Sequence, residues 1–498
     1  GDWSSDVCSS DLAGSMRRAL FLSVTVAMFA LFLSASAFEF TPAMSKAVDD
    51  LHWFSELVRR VPMLNRPTAD PLDLPCLLCG IALNEVESLV MENRSMTDIQ
   101  DALRKDICSR MEKTLEVACD ALVETLPIWI GDVEKRWTVD GVCVDDLHFC
   151  PHPEDNYTDP VHLPTMTLNL DLAPEKRWNE ICSVPFYQQN WQKMVSVLKQ
   201  LFAGGEKVED LGHYILTLMP DTYAAELSSC ASSLGIDSGW LTLLNIGYEA
   251  SDACTSIVAQ DTNGHILHAR NLDFWAGMGF TNTLKNVALI IDMQRGGKTV
   301  AHVTGFAGYM GVLSAQVPEQ YSLTIDTRFY PQGPAELFEE IVIALEHKNA
   351  SLVSFLARDV IEQGGDFASA LNTLSNYPLV ADVYYIVAGI SAGQGAVISR
   401  NRNNASDVWM LDSAAGRWFE VETNYDHWKP APWFDDRVDP ANHMMNAIGQ
   451  SAVTLPQMWE VLSTKPVFNI QTTYTILSNP ATGYWDSWSR YCHYPCAE

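Results

Sequence analysis

The spacing of apolar residues divides the chain into blocks with different periods. An unbroken apolar run, ALFLSVTVAMFALFL, follows Met16-Arg17-Arg18. Between residues 76 and 150 the period is helical. CGIALNEVESLVMEN sets Ile81, Val86, Leu89 and Val90 on one stripe, and MEKTLEVACDALVETL does the same with Leu115, Val117, Ala118, Leu122 and Val123. Residues 151–165 carry four prolines and read as an exposed linker. MTLNLDLAPEKRW then alternates like a strand and opens a helix, and 187–250 reads as mostly helical with Gly/Asp breaks near 204–212 and 235–239. After Cys254 the pattern changes to strands: IVAQD, HILHAR, VALIIDMQ, TVAHVTGF, YSLTIDTR, VYYIVAGI, GAVISR and DVWMLD. Two helical stretches interrupt them, AELFEEIVIALEHK and DFASALNTL. Strands and helices in separate blocks predict an α+β layered fold rather than a doubly wound sheet.

The apolar run at the start is a leader rather than a core element. Two arginines precede it, and Ala35-Ser36-Ala37 supplies small residues for a cut after Ala37, so 16–37 reads as a signal peptide. An uncleaved anchor is the alternative, because the run is almost long enough to span a bilayer. Residues 1–15 precede the first Met and read as a non-native extension. Sequons at Asn93, Asn156, Asn349 and Asn404 fit passage through the secretory pathway.

Charge and cysteines narrow the class. The 498 residues carry 62 acidic and 32 basic side chains, a net charge of −30. That excludes a nucleic-acid partner, which needs a positive footprint, and it suits an acidic compartment, lysosomal or extracellular. Cys76, Cys79, Cys108, Cys119, Cys143 and Cys150 form a disulfide scaffold whose spacing allows fifteen connectivities. Cys76 and Cys79 lack a second ligand pair at zinc spacing, and His265 with His268 lack a third ligand, so no metal is expected. Cys182 and Cys230 are candidates to pair, as are Cys492 and Cys496.

Candidate chemistry lies in DACTSIVAQDTNGHILHARNLDFW, residues 252–275. Asn263-Gly264 between two β-rich runs is a strong hairpin signal. With those two residues as the loop, Thr262 faces His265 and Cys254 faces Asp273, Cβ atoms about 5 Å apart. Arg270 then points to the other face of the hairpin. A second nucleophile candidate is Ser391 in Gly389-Ile-Ser391-Ala-Gly393, but an elbow must lead into a helix and QGAVISR reads as a strand.

The segment around Cys254 resembles the acid ceramidase and N-acylethanolamine acid amidase family, N-terminal nucleophile hydrolases. Other shared motifs are GFAGYMGVL (305–313), ADVYYIVAG (381–389), VETNYDHWKPAP (421–432), DDR (435–437) and LSTKPVFN (462–469). The resemblance covers roughly 164–498. It implies an αββα sandwich and cleavage between Ala253 and Cys254. The products would be an α subunit, 164–253, and a catalytic β subunit, 254–498. It also implies Cys254 as nucleophile, Arg270 and Asp273 as its positioning partners, Asn424 as the oxyanion donor and Arg437 as a second active-site arginine. The family often has Glu where this chain has Thr327, beside Asp326, and Gly where it has Ala269.

Residues 72–154 resemble a saposin B-type domain. That resemblance implies a small all-α bundle with bonds Cys76–Cys150, Cys79–Cys143 and Cys108–Cys119, and contact with a membrane or lipid-vesicle surface. A disulfide-stapled spacer is the plainer reading. The substrate expected is a lipid amide, hydrolysed without cofactor: the α-amine of Cys254 serves as its base, and Arg270 lowers the pKa of amine and thiol. The rival reading is a lipid-binding protein whose hydrolase domain is inactive.

Overall fold

The computed structural model describes residues 158–201, 205–247, 253–274, 278–328, 334–431, 435–493 and 496, with single positions at 97, 100, 101 and 104. The signal peptide, the six-cysteine segment, and the sequons at Asn93 and Asn156 lie outside these residues. Asn349 and Asn404 lie within them and are exposed.

The strands are β1 (Val161–His162), β2 (Thr165–Asn169), β3 (Ala253–Gln260), β4 (Ile266–Asp273), β5 (Ala288–Arg295), β6 (Lys298–Phe306), β7 (Ser314–Val317), β8 (Tyr321–Thr327), β9 (Val383–Ala388), β10 (Gly395–Arg400), β11 (Ala405–Met410), β12 (Phe419–Glu422), β13 (Thr472–Asn479) and β14 (Tyr484–Ser489). The main helices are α1 (Pro185–Leu201), α2 (Gly205–Leu218), α3 (Asp221–Leu234), α4 (Ser238–Ile246), α5 (Met278–Val287), α6 (Pro334–His347), α7 (Val353–Gln363), α8 (Phe367–Asn376), α9 (Val438–Ile448) and α10 (Leu455–Leu462).

Two sheets form, in the orders β1-β14-β13-β4-β3-β12 and β11-β10-β9-β8-β7-β6-β5-β2. Every pairing is antiparallel except β2 with β5. Strand parity decides the layers. Val258, Ile266, Tyr384, Ile386 and Val397 meet between the sheets. The opposite faces of β3 and β4, Ile257, Ala259, Leu267 and Ala269, pack on Met445, Met458 and Val461 of α9 and α10. The outer face of the larger sheet is covered by the remaining helices, including Ile341, Phe355 and Leu374. Strands covered on both sides read as continuous apolar runs, which is why VYYIVA is buried at every position. The architecture is the αββα sandwich expected, and the strands named from sequence are all present. β1, β7, β12, β13 and β14 were not anticipated, although TTYTILSN has the β-branched enrichment of a strand.

The structure changes helix near both expected breaks: α2 opens at Gly205, and α3 ends at Leu234 before α4 opens at Ser238. The second break is made by Gly235, left-handed at φ +71, followed by Asp237, whose side chain accepts from Gly239 N–H to cap α4. At the far ends of those ranges Gly212 lies inside α2 and Gly239 inside α4, and a Cβ on Gly212 would sit 2.1 Å from the Gly239 carbonyl oxygen, so these two glycines let the helices cross closely. Cys182 is bonded to Cys230, and Cys492 to Cys496.

Candidate active site

The β3–β4 hairpin corrects the expected register. Ala253 pairs with Asp273 and Cys254 with Leu272, one residue away from the register predicted. The cause is at the turn. Asp261 and His265 pair, with the Asp261 N–H donating to His265 O at 3.0 Å, so the loop is three residues long. The Asp261 carboxylate accepts from the N–H groups of Asn263 and His265, both at 2.8 Å, and Gly264 takes φ +88. A glycine in this region is what such a bulged turn requires. A one-residue slip turns every side chain to the other face. Arg270, opposite Ser256, therefore shares the inner face with Cys254, and Asp273 pairs with the residue ahead of it.

Cys254 takes part in no disulfide, and it is buried. Three residues from distant segments hold it. Arg270 Nη2 donates to Sγ at 2.9 Å, the arrangement that stabilises negative charge on sulfur. Asn424, just beyond β12, accepts from the Cys254 N–H through Oδ1 at 2.8 Å. Arg437, capping α9, donates through Nη1 to the Cys254 carbonyl oxygen, and through Nη2 to Asn424 Oδ1 at 2.7 Å. These two donors fix the orientation of the Asn424 amide, whose Nδ2 donates to Thr327 O at 2.8 Å.

Acids complete the cluster. Asp435 receives Arg437 Nε at 2.7 Å and Nη2 at 2.9 Å, so it is an anchor rather than a solvated charge. Asp273 lies 3.6 Å from Arg437 Nη1. Burial nevertheless pushes the Asp273 carboxyl up to about 6, outweighing that guanidinium. Asp326 on β8 lies 3.5 Å from Arg270 Nε and accepts from Ser256 Oγ at 2.9 Å, and burial raises it to about 7 against the pull of Arg270. At position 327 the backbone oxygen meets the site, accepting from Asn424 Nδ2. All five residues named from sequence thus lie in one cluster. Ser256, Asp326 and Asp435 join it without a role assigned from the sequence; the parity of CTS and TID reveals the first two once the register is right.

The other candidates fall away on geometry. Ser391 is exposed in the turn joining β9 to β10, where Gln394 Oε1 accepts from its N–H at 3.0 Å, and no helix follows. His265 is exposed and bonds the half-buried Asp261, whereas His268 is buried against Ser322 and Thr324. Among the described residues no cluster could hold a metal ion, and no helix is long and apolar enough to cross a membrane.

Comparison with known proteins gives one match before this hairpin and one that includes it from Cys254 onward. Residues 254–462 match the model of the linear amide C–N hydrolases, choloylglycine hydrolase family, and the match begins at Cys254. Residues 161–216 match the beta subunit of N-acylethanolamine-hydrolyzing acid amidase, a label that falls on the segment called the α subunit above. Acid ceramidase of Mus musculus is 35% identical over 394 residues, covering 76% of this chain and 96% of that protein. Acid ceramidase of Homo sapiens is 33% identical over 394 residues, covering 76% and 95%. A solved structure of the Caenorhabditis elegans N-acylethanolamine-hydrolyzing acid amidase ortholog is 36% identical, covers 47% of this chain and 99% of that one, and has a TM-score of 0.43. These relatives are named as enzymes, which does not favour the reading of an inactive lipid-binding protein. With about a third of the aligned residues identical along almost the whole length of those ceramidases, the chain belongs to the acid ceramidase family of linear amide hydrolases.

Proposed function

We propose that this enzyme hydrolyses the N-acyl amide bond of a lipid amide, a ceramide or an N-acylethanolamine, to a fatty acid and an amine, with Cys254 as nucleophile. The observation that carries the reading is the convergence of Arg270, Asn424 and Arg437 on the sulfur, nitrogen and carbonyl oxygen of one buried cysteine. An uncut Cys254 has no basic nitrogen, since its N–H is an amide. Cleavage between Ala253 and Cys254 would turn that group into an amine within reach of its own thiol. Asn424 Oδ1 already accepts from this nitrogen, so it would hold the amine after the cut.

In the proposed cycle the amine takes the thiol proton, and the thiolate beside Arg270 attacks the amide carbonyl. The ammonium protonates the leaving amine, and water then hydrolyses the acyl-thioester. Asn424 Nδ2 is the oxyanion donor suggested by the family likeness; to act so it must share the bond it gives Thr327 O. Before maturation the same thiol would attack the Ala253 carbonyl, and hydrolysis of the resulting thioester would free both chains. Asp273, paired with Ala253 in the ladder, is then placed on the residue that is released. A lysosomal or secreted location fits the acidic composition, and residues 72–154 would bring the enzyme to a lipid surface.

Two measurements test this. Active material is sequenced from its N-termini, where a fragment starting at Cys254 is expected; activity residing only in an intact chain overturns the proposal. Fatty-acid release at about pH 5 is then compared for ceramide and N-acylethanolamine, with and without residues 38–165.

A further inference from the structure

We propose that Asp326 is a positioning residue that holds the Arg270 guanidinium against the Cys254 sulfur. The inference rests on Cys254 being the nucleophile. Arg270 Nη1 donates to Leu313 O at 2.8 Å and Ser314 Oγ at 2.7 Å, and Nη2 to Ile325 O at 2.5 Å and to Sγ at 2.9 Å. Each of those acceptors is a neutral oxygen except the sulfur itself. The Nε edge of the fork faces Asp326 Oδ1 at 3.5 Å, and both side chains are fully buried. A planar guanidinium is fixed in orientation when its edges are held separately. Asp326 Oδ1 is the side-chain oxygen that faces Nε.

A polarised chain of hydrogen bonds in turn holds Asp326. His268 Nδ1 meets Ser322 Oγ at 2.8 Å, His268 Nε2 meets Thr324 Oγ1 at 3.1 Å, Thr324 Oγ1 meets Ser256 Oγ at 2.9 Å, and Ser256 Oγ donates to Asp326 Oδ1 at 2.9 Å. Each hydroxyl has one proton to give. Ser256 gives its proton to Asp326, so Thr324 must give its own to Ser256, and Thr324 then accepts from His268 Nε2–H. Burial keeps His268 neutral, its pKa near 3, so Nδ1 accepts from Ser322. All four bonds therefore point toward the carboxylate. Their residues occupy alternate, inward positions on β3, β4 and β8. The other charged groups around Asp326 are Arg437, Asp273 and Glu422.

The test measures carbamidomethylation of Cys254 by iodoacetamide at about pH 5, with kcat and KM for amine release from an N-acyl lipid amide. Asp326→Ala is expected to slow alkylation and kcat about tenfold with little change in KM, and to add nothing in an Arg270→Lys background. Asp326→Asn, which keeps an acceptor oxygen in place, should recover most of the rate. Normal alkylation in Asp326→Ala, additive losses in the double variant, or equal losses for Ala and Asn each overturn the assignment. Should Asp326→Ala not fold, Ser256→Ala removes the last donor of the chain without touching the guanidinium; about threefold slower alkylation supports the proposal and no change overturns it. Activity surviving in Cys254→Ala would instead remove the nucleophile reading itself.

Discussion

Arg270 and Cys254 are sixteen positions apart in the chain, yet Nη2 of one lies 2.9 Å from Sγ of the other because a three-residue turn sets their strands one residue out of the simplest register. Lysine at 270 would keep a positive charge but lose the forked contacts to Leu313, Ser314 and Ile325. Arg270→Lys is expected to lower kcat by roughly a hundredfold, the scale of losing a preorganised charged donor. Steady-state kinetics on correctly folded material decide it, and a near-normal kcat would show that charge alone suffices.

Cys254→Ala is expected to give one uncut chain without activity. Denaturing gels and intact mass read the outcome. Normal cutting in this variant would mean that another agent processes the precursor.

The turn itself is open to test. Gly264 has φ +88, and a side chain there would also meet Ala392 at 3.1 Å. Gly264→Val should cost about 1–3 kcal/mol through backbone strain. Removing Asn263 instead leaves a two-residue loop and invites the slipped register, which sends Arg270 to the wrong face. Such a deletion should abolish activity even where circular dichroism stays near native.

Glu226 is buried and accepts from Arg358 Nη1 at 2.5 Å and Nη2 at 2.9 Å, from Arg177 Nη1 at 3.0 Å and from Trp178 Nε1 at 3.0 Å. Arg358 follows the proposed cut and the other three precede it, so this clasp would join the two chains of a cut protein. Arg358→Ala strips a fully buried pair of one partner and should destabilise the protein by about 3–5 kcal/mol in denaturant unfolding. Loss of under about 1 kcal/mol would show that Arg177 alone satisfies Glu226.

Stability should also depend on pH. Burial raises Asp273 to about 6, Asp326 to about 7 and Glu420 to about 9, and raises Glu422 as well. Unfolded, these groups titrate near pH 4, as carboxyls do in water. Between those limits the folded protein holds more protons, so stability is full at the acid end and is lost as pH climbs through the folded values. His268, lowered to about 3 by burial, works the other way below 6.5 but is one group against four. Lys285, lowered to about 7, acts above that range. The thermal midpoint should therefore be higher at about pH 5 than at about pH 7. A flat or reversed profile would mean that these carboxyls stay ionised in the folded state.

The chain by itself determined most of the elements, their order and the candidate residues of the site. Apolar period distinguishes the helices of 185–246 from the strands after 253, because packing on one stripe or on a pleated face leaves that mark in any sequence. Cys254, Arg270, Asp273, Asn424 and Arg437 were legible through short motifs that resemble a known family. What the tertiary structure alone decided was which side chains face one another. The side-chain period of a strand is two, so whether Arg270 or Asp273 reaches Cys254 depends on one residue of loop length, set by the Asp261 carboxylate and the left-handed Gly264. Gly212 and Gly239 lie at the far ends of two stretches read as breaks, and only the crossing of two helices reveals that the space between them has no room for a Cβ. Asp326 drew notice only as a neighbour of Thr327; its contact with Arg270 comes from the other sheet, and no local pattern encodes the distance between two sheets.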